Sequence, residues 1–306
     1  YCNTALFKKM AKMPEFGGFP DLPAVNEDNL VGDLAKLTRS SYPSNDPDVT
    51  MNCPPFWRVY MDGYGGQNSL GGESYEGAVG AYVFVCCSTG SADVRLYASH
   101  EQFPIALHQF FCRVEAEHFR CHVVYADTFT VNLSEEVEEV LALFKAVLVP
   151  VSAGTPQEMA FAESMVRTIR RMSTAMMEGA PHLGPDKWAL CDKYPVYLHD
   201  LLPVSTRGFL PPYVLRTGRP VPWDVLSVHV MGAPLVFSPI DGAIHKRAAI
   251  TEQGDFMGIQ WPAAIVQRKS DGKLLSVSRK KIRVYESGYL CPLNQRAEHL
   301  EEAPPV

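Results

Sequence analysis

What most constrains this chain is an alternation. Between residues 56 and 179, short apolar runs give way to stretches of helical periodicity, in the order strand, strand, strand, helix, strand, helix, strand, long helix. The runs at 56–62, 81–87, 93–98, 121–126 and 147–151 are too short for helices and are bounded by turn residues such as Gly65-Gly66 and Gly71-Gly72. The first helical stretch, 100–118, puts Phe103, Leu107, Phe110 and Val114 on one face. Ser134 opens the second, with Glu135 and Glu136 where the helix dipole favours carboxylates and a stripe of Val137, Val140, Leu141 and Phe144. The third starts at Thr155-Pro156-Gln157-Glu158, a capping box with proline at the first helical position, and should end before Gly179 and Pro181. This order predicts an α/β domain built on one mixed sheet.

Beyond it, five prolines between Pro203 and Pro222 read as a connector, and residues 225–285 alternate short strands with turns at Gly232-Ala233, Gly254-Asp255 and Asp271-Gly272. The expected layout is a leader at 1–50, a core at 51–202, a connector at 203–224, a small β-barrel at 225–290 and an acidic tail at 291–306. With 306 residues, 46% of them hydrophobic, the chain can bury a proper core. It holds no run of 18 apolar residues, so no membrane partner is expected. Tyr1 is followed by no basic-then-apolar leader, which suggests a piece of something longer. Eight cysteines are scattered, and adjacency forbids an ordinary bridge between Cys86 and Cys87, a pattern that suits a reducing compartment.

Three acids stand out by position. Asp62 and Asp127 each close an expected central strand, and Glu163 lies two turns into the best-capped helix. Side chains so placed can converge, and three carboxylates suit a pair of Mg²⁺ or Mn²⁺ ions, because oxygen ligands match hard cations. The alternative is that they are ordinary turn and surface acids. Along the same helix Ala162, Met165, Val166, Ile169, Met172 and Met176 share one side, while Glu163, Arg167, Arg170 and Thr174 share the other, with Arg171 at its edge. That basic stripe could lay a phosphate backbone over the acids, or be a solvated face with an i,i+4 ion pair.

The formal charge of −6 argues on its own against a nucleic-acid binder. The average hides a basic C-terminal part, where nine Lys or Arg between Asp241 and Glu286 stand against five acids. On a strand, Arg279, Lys281 and Arg283 would share one face, which could track phosphates or could protect a sheet edge. His118, Cys121 and His122 form the only local His/Cys cluster, and strand alternation turns Cys121 and His122 to opposite faces, which favours a structural role. The run Glu135, Glu136, Glu138 and Glu139 reads as a solvated helix face.

These residues together resemble the catalytic core of a retroviral-type integrase, closest to the copia-type retrotransposon integrases. Asp127 and Glu163 have 35 residues between them, as in the D,D-35-E motif. Thr155-Pro156-Gln157 followed by Ala162-Glu163 resembles the family's helix start, and Leu70-Gly71-Gly72 is similar as well. Downstream, Pro212-Tyr213 and Thr217-Gly218-Arg219 are similar to the family's connector. Gly258-Ile259, Asp271-Gly272-Lys273 and Val277-Ser278-Arg279 are similar to its following barrel. The resemblance implies an RNase H-like core with Asp62, Asp127 and Glu163 as ligands of two Mg²⁺ or Mn²⁺ ions, then an SH3-like barrel. It implies end processing and strand transfer on double-stranded DNA, both element ends and target. It implies a homo-oligomer, other segments of a polyprotein as partners, and action in the nucleus or a virus-like particle.

The chain departs from the family at three places. Thr128-Phe129-Thr130-Val131 replaces Asn-Gly-Gly-Glu, Glu158-Met159-Ala160 stands where the family has Gln-Asn-Gly, and Ser164 replaces an arginine. These departures keep a second reading open, a degenerate or domesticated integrase-fold module that binds DNA or protein without catalysis. No zinc module is expected in the leader, because no histidine precedes His100 and residues 1–50 hold only Cys2.

Overall fold

The computed structural model of the chain describes residues 53–65, 72–127, 134–151, 156–222, 228–238, 251–260 and 262–286. They form two compact units. Of the described residues, one unit holds those from 53 to 171 together with Pro185–Val221; the other holds Met172–Gly184 together with those from 222 to 286.

The first unit is built on strands β1 (Arg58–Gly65), β2 (Gly80–Cys86), β3 (Ala92–Tyr97), β4 (Val123–Asp127) and β5 (Val147–Val151), in the spatial order β3-β2-β1-β4-β5. β1, β2 and β3 pair antiparallel, whereas β4 and β5 run parallel to β1, giving the mixed sheet expected. Helices α1 (Phe103–Ala116) and α2 (Glu135–Phe144) cover one face. There Val59, Met61, Phe84, Val124 and Ala126 pack against Leu107, Phe110, Phe111, Val137 and Leu141, and the rings of Phe84 and Phe110 stack 4.4 Å apart. Helices α3 (Pro156–Gly179) and α4 (Trp188–Leu201) cover the other, where Ala81, Val83, Val85 and Val94 meet Met165, Ile169 and Val196. Coverage on both sides explains why β2 is buried at every position rather than alternating.

Several expectations need correcting. Asp62 does not end its strand: β1 runs on to Gly65, paired with Gly80. Gly80 is needed there, since a Cβ would lie 2.3 Å from the Tyr97 ring and 2.5 Å from the Tyr64 carbonyl oxygen. A short 3₁₀ turn, His100–Gln102, precedes α1, because proline at the second helical position sets a fresh start. Ser134 occupies the N-cap of α2 without capping through its side chain; it bonds instead to Glu136, holding that carboxyl below the usual range.

The proline-rich stretch is no extended linker as far as Val221. It carries a 3₁₀ turn and helix α5 (Pro212–Thr217). The guanidinium of Arg207 donates to the backbone oxygens of Cys87 and Ser88, and Arg216 pairs with Glu117 and Asp200. Two buried arginines thus pin this stretch to the first unit.

In the second unit, β6 (Pro234–Phe237), β7 (Glu252–Gln260), β8 (Ala263–Arg268), β9 (Leu274–Ser278) and β10 (Ile282–Val284) form an antiparallel sheet in the order β10-β6-β7-β8-β9. Among the described residues this sheet is open, with no ladder between β9 and β10 to close it as the expected barrel would. A register shift between Phe256 and Ile259 bends β7, and Gly258, at φ +115°, supplies the backbone freedom. Leu235, Phe237, Phe256, Val266 and Val277 are among its buried residues.

Candidate active site: three carboxylates on one face of the sheet

The parallel ladder between β1 and β4 ends at the pair Met61 and Ala126. Asp62 and Asp127 are the next residues on these adjacent strands, so they stand side by side at the same level. Alternation decides which way they point. Met61 and Ala126 belong to the core under α1 and α2, so the aspartates face the other way, like Tyr60 and Tyr125 two residues earlier.

That side is the α3 side. Tyr60 packs with Met159, Ala162 and Phe161 of α3, its ring stacked 5.1 Å from Tyr125 and 5.6 Å from Phe161. Glu163 follows buried Ala162 and is exposed. Three acids distant in sequence therefore lie along one face, where the aromatic ladder of Tyr60, Tyr125 and Phe161 sets the helix against the strands.

The electrostatics agree. Burial, first of all, pushes the Asp62 carboxyl above the ordinary aspartate range, and the negative charges of Glu163 and Asp127 push it the same way. The Gly63 amide, donating to Asp62 Oδ1 at 2.8 Å, pulls it partly back. Two half-buried carboxylates and an exposed third, all hard oxygen donors of like charge, fit a divalent cation. The side chains nevertheless stop short of a ready-made cage, for among the described residues no three His, Cys, Asp or Glu side chains stand gathered as cation ligands. They would have to close on an ion to hold it.

Arg167 and Arg171 are half-buried and Arg170 is exposed, while Ala162, Met165, Ile169 and Met176 are buried, as the helical stripe requires. Arg170 does more than face solvent. Its guanidinium lies 6.0 Å from the ring centre of Tyr64, whose hydroxyl donates to buried Asp192 at 2.8 Å. Burial raises the Tyr64 hydroxyl well above its usual range, and Asp192 adds to it. Tyr64 and Asp192 were missed in the sequence. The period-two spacing of Tyr60, Asp62 and Tyr64 could have placed all three on one face, but nothing local marks Asp192.

The basic C-terminal residues do not share a strand face. Arg279–Lys281 form a 3₁₀ turn and only Ile282–Val284 is extended, so alternation cannot align Arg279, Lys281 and Arg283. Arg279 is half-buried, with Nε donating to the Pro262 carbonyl at 3.0 Å. Lys280, Lys281 and Arg283 are exposed, and Arg283 lies over the Tyr285 ring.

Cys121 is buried and the His122 ring lies tilted 3.7 Å from that of Trp57, but both precede β4, so strand alternation does not orient them. Glu135, Glu136, Glu138 and Glu139 are all exposed. The leader, Leu70-Gly71, Thr128 to Val131, Thr155, and Lys246 and Arg247 of the basic region lie outside the described residues.

No protein-family model and no curated protein matches the sequence. Two solved structures similar to the chain are retroviral integrases. One is the simian T-cell lymphotropic virus intasome in complex with the PP2A regulatory subunit B56 gamma, at 13% identity and TM-score 0.41, covering 80% of this chain and 86% of that one. The other is the HTLV-2 integrase catalytic core domain in complex with magnesium, in a trimeric form, at 11% identity and TM-score 0.42, covering 53% of this chain and 97% of that one.

Proposed function

We propose that the chain is a retroelement integrase, of the copia type its motifs resemble, performing metal-dependent end processing and strand transfer on double-stranded DNA. The observation that carries this reading is the shared face of Asp62, Asp127 and Glu163, placed by strand register and by the ring ladder under α3. The reading takes residues 51–202 as an RNase H-like core and 225–290 as an SH3-like barrel. It extends to a homo-oligomer acting within a polyprotein-derived particle or the nucleus.

Asp62, Asp127 and Glu163 would hold two Mg²⁺ or Mn²⁺ ions, which supply activation of the attacking water or sugar hydroxyl and stabilisation of the leaving oxygen. The chain's own part is positional. β1 and β4 set two carboxylates at one level, α3 brings the third, and Arg167 and Arg170 on the same helix offer positive charge to the phosphates beside the reacting one. A second reading, a binding module without catalysis, draws on the open spacing of the carboxylates and on Met159, buried where the family carries a polar residue. The test is nicking and joining of short duplexes by the full chain in Mg²⁺ or Mn²⁺. Cleavage with either ion supports the enzyme. Normal DNA binding without cleavage, across several end sequences and both ions, establishes the second reading.

A further inference from the structure

Two thiols meet beneath the ring ladder. Cys53 lies five residues before β1 and Cys87 immediately after β2, and both stand as thiols. Cys87 is fully buried and Cys53 is half-buried, packed against the cluster formed by Tyr60, Cys87, Val151, Met159 and Ala162. The two side chains are hydrogen-bonded to each other. The segments that carry them are fastened together: the Cys87 amide donates to the Arg58 carbonyl at 3.0 Å, and the Ser88 hydroxyl to the Pro54 carbonyl at 3.3 Å. Cys86 is turned away into the core under α1, where its sulfur accepts the Phe56 amide at 3.1 Å. Beside the thiols, the Arg207 guanidinium is anchored on the Cys87 and Ser88 carbonyls. Burial pushes the Cys87 thiol up to about 12 and the Arg207 charge pulls it only partly back, so Cys87 stays protonated until a partner sulfur is activated beside it.

We propose that Cys53 and Cys87 are a redox-modification site, at which a peroxide-class oxidant converts the two thiols into one reversible disulfide. Cys53 meets the oxidant first, since it alone of the pair reaches solvent. Its thiolate attacks one peroxide oxygen, the O–O bond breaks, and hydroxide leaves with the electron pair, so that Cys53 becomes a sulfenic acid. The Cys87 sulfur then attacks the Cys53 sulfur. The S–S bond forms, the S–O bond breaks, and the departing hydroxide takes the Cys87 proton to give water. The peroxide gains two electrons and the thiol pair loses two. The bridge ties the segment before β1 to the turn after β2, directly under the strand that carries Asp62, and a dithiol reductant reverses it.

The test treats the full chain with hydrogen peroxide, blocks the remaining thiols under denaturing conditions and digests with trypsin without reduction. Peptide 40–58 carries Cys53, whereas peptide 59–95 carries both Cys86 and Cys87. The expected product is these two peptides joined with loss of two hydrogen atoms. The join should vanish on reduction, be absent in Cys53→Ser and Cys87→Ser, and persist in Cys86→Ala. If Cys87→Ser fails to fold, Cys53→Ser and Cys86→Ala still decide between the same two results. A join that survives Cys87→Ser or is lost in Cys86→Ala overturns the proposal. So does wild-type protein in which Cys53 is carried to sulfinic acid, or paired elsewhere, while Cys87 stays open to alkylation.

Discussion

Asp62 concentrates the chemistry of the candidate site because its folded environment resists its charge. Its carboxyl is raised by burial and by two like charges, so the folded protein holds a proton there that the unfolded chain releases. The resulting destabilisation is full above the folded pKa and relieved as pH falls through it. Asp62→Asn should therefore raise the melting temperature in metal-free buffer while abolishing metal-dependent nicking. On the proposed function, Asp127→Asn and Glu163→Gln should likewise abolish nicking yet leave DNA binding intact, since the basic side chains proposed to meet phosphates lie elsewhere; Glu138→Gln, on the exposed face of α2, should change neither. Gel shift and nicking assays on the same preparations check both. His199 gives an opposite pH signature. Its Nδ1 is buried without a hydrogen-bond partner, and desolvation, with the Arg207 charge, lowers its pKa to about 4. The folded state thus binds fewer protons than the unfolded chain between about pH 4 and pH 6.5. Stability should be intact above that window and fall by at most about 3 kcal/mol across it. Urea titrations at several pH values should show this slope, and His199→Leu should flatten it.

At the scale of elements, β1 is the pivot. It carries Tyr60 and Asp62 on one face and Met61 on the other, and its far end depends on Gly80. A side chain at that position would drive into the Tyr97 ring and the Tyr64 backbone, neither of which can yield cheaply. Gly80→Ala should cost on the order of 2–4 kcal/mol, and denaturant midpoints check it. The second such device is the arginine pair that holds the stretch from Ser205 to Thr217. Arg216 sits against Asp200 and Glu117 with little of its side chain exposed. Removing it takes from Asp200, which also accepts from the Ser91 hydroxyl, its ion-pair partner and leaves it the weaker influence of Arg113. Arg216→Ala should cost about 3–5 kcal/mol by the same measurement, as breaking a buried pair does.

For the whole molecule, a net charge of −6 coexists with a C-terminal region rich in Lys and Arg. Binding of the full chain to duplex DNA should weaken steeply as salt rises, because phosphate contacts release counterions. Replacing the exposed Lys280, Lys281 and Arg283 together by alanine should lower the salt slope by about two to three units, and titrations between about 50 and 200 mM salt would measure it. An unchanged slope would place the DNA contacts elsewhere, with the stripe of Arg167 and Arg170 next to be tested.

How much of this was legible follows from the range of the forces involved. The succession of strands and helices along the chain, the helix faces and the start of α3 could be read directly, because periodicity and capping act over a few residues. The 3.6-residue stripe of α3 predicted the burial of Ala162, Met165, Ile169 and Met176 correctly, while Val166 and Met172 of the same stripe are only half-buried. The pairing of Asp62 with Asp127 could only be suspected. It depends on the register of two strands more than 60 residues apart, and register is set by what the rest of the sheet buries. The continuation of β1 past Asp62, the turn that breaks the basic strand at Arg279, and the folding-back of the proline-rich stretch belong wholly to tertiary structure. Each rests on partners far along the chain: Gly80 for β1, Pro262 for Arg279, and Cys87, Glu117 and Asp200 for the two arginines. By itself the sequence determined a mixed α/β core with acids at suggestive positions. Only the folded chain decided that those acids share a face, because long-range packing, unlike local periodicity, leaves no pattern between neighbouring residues.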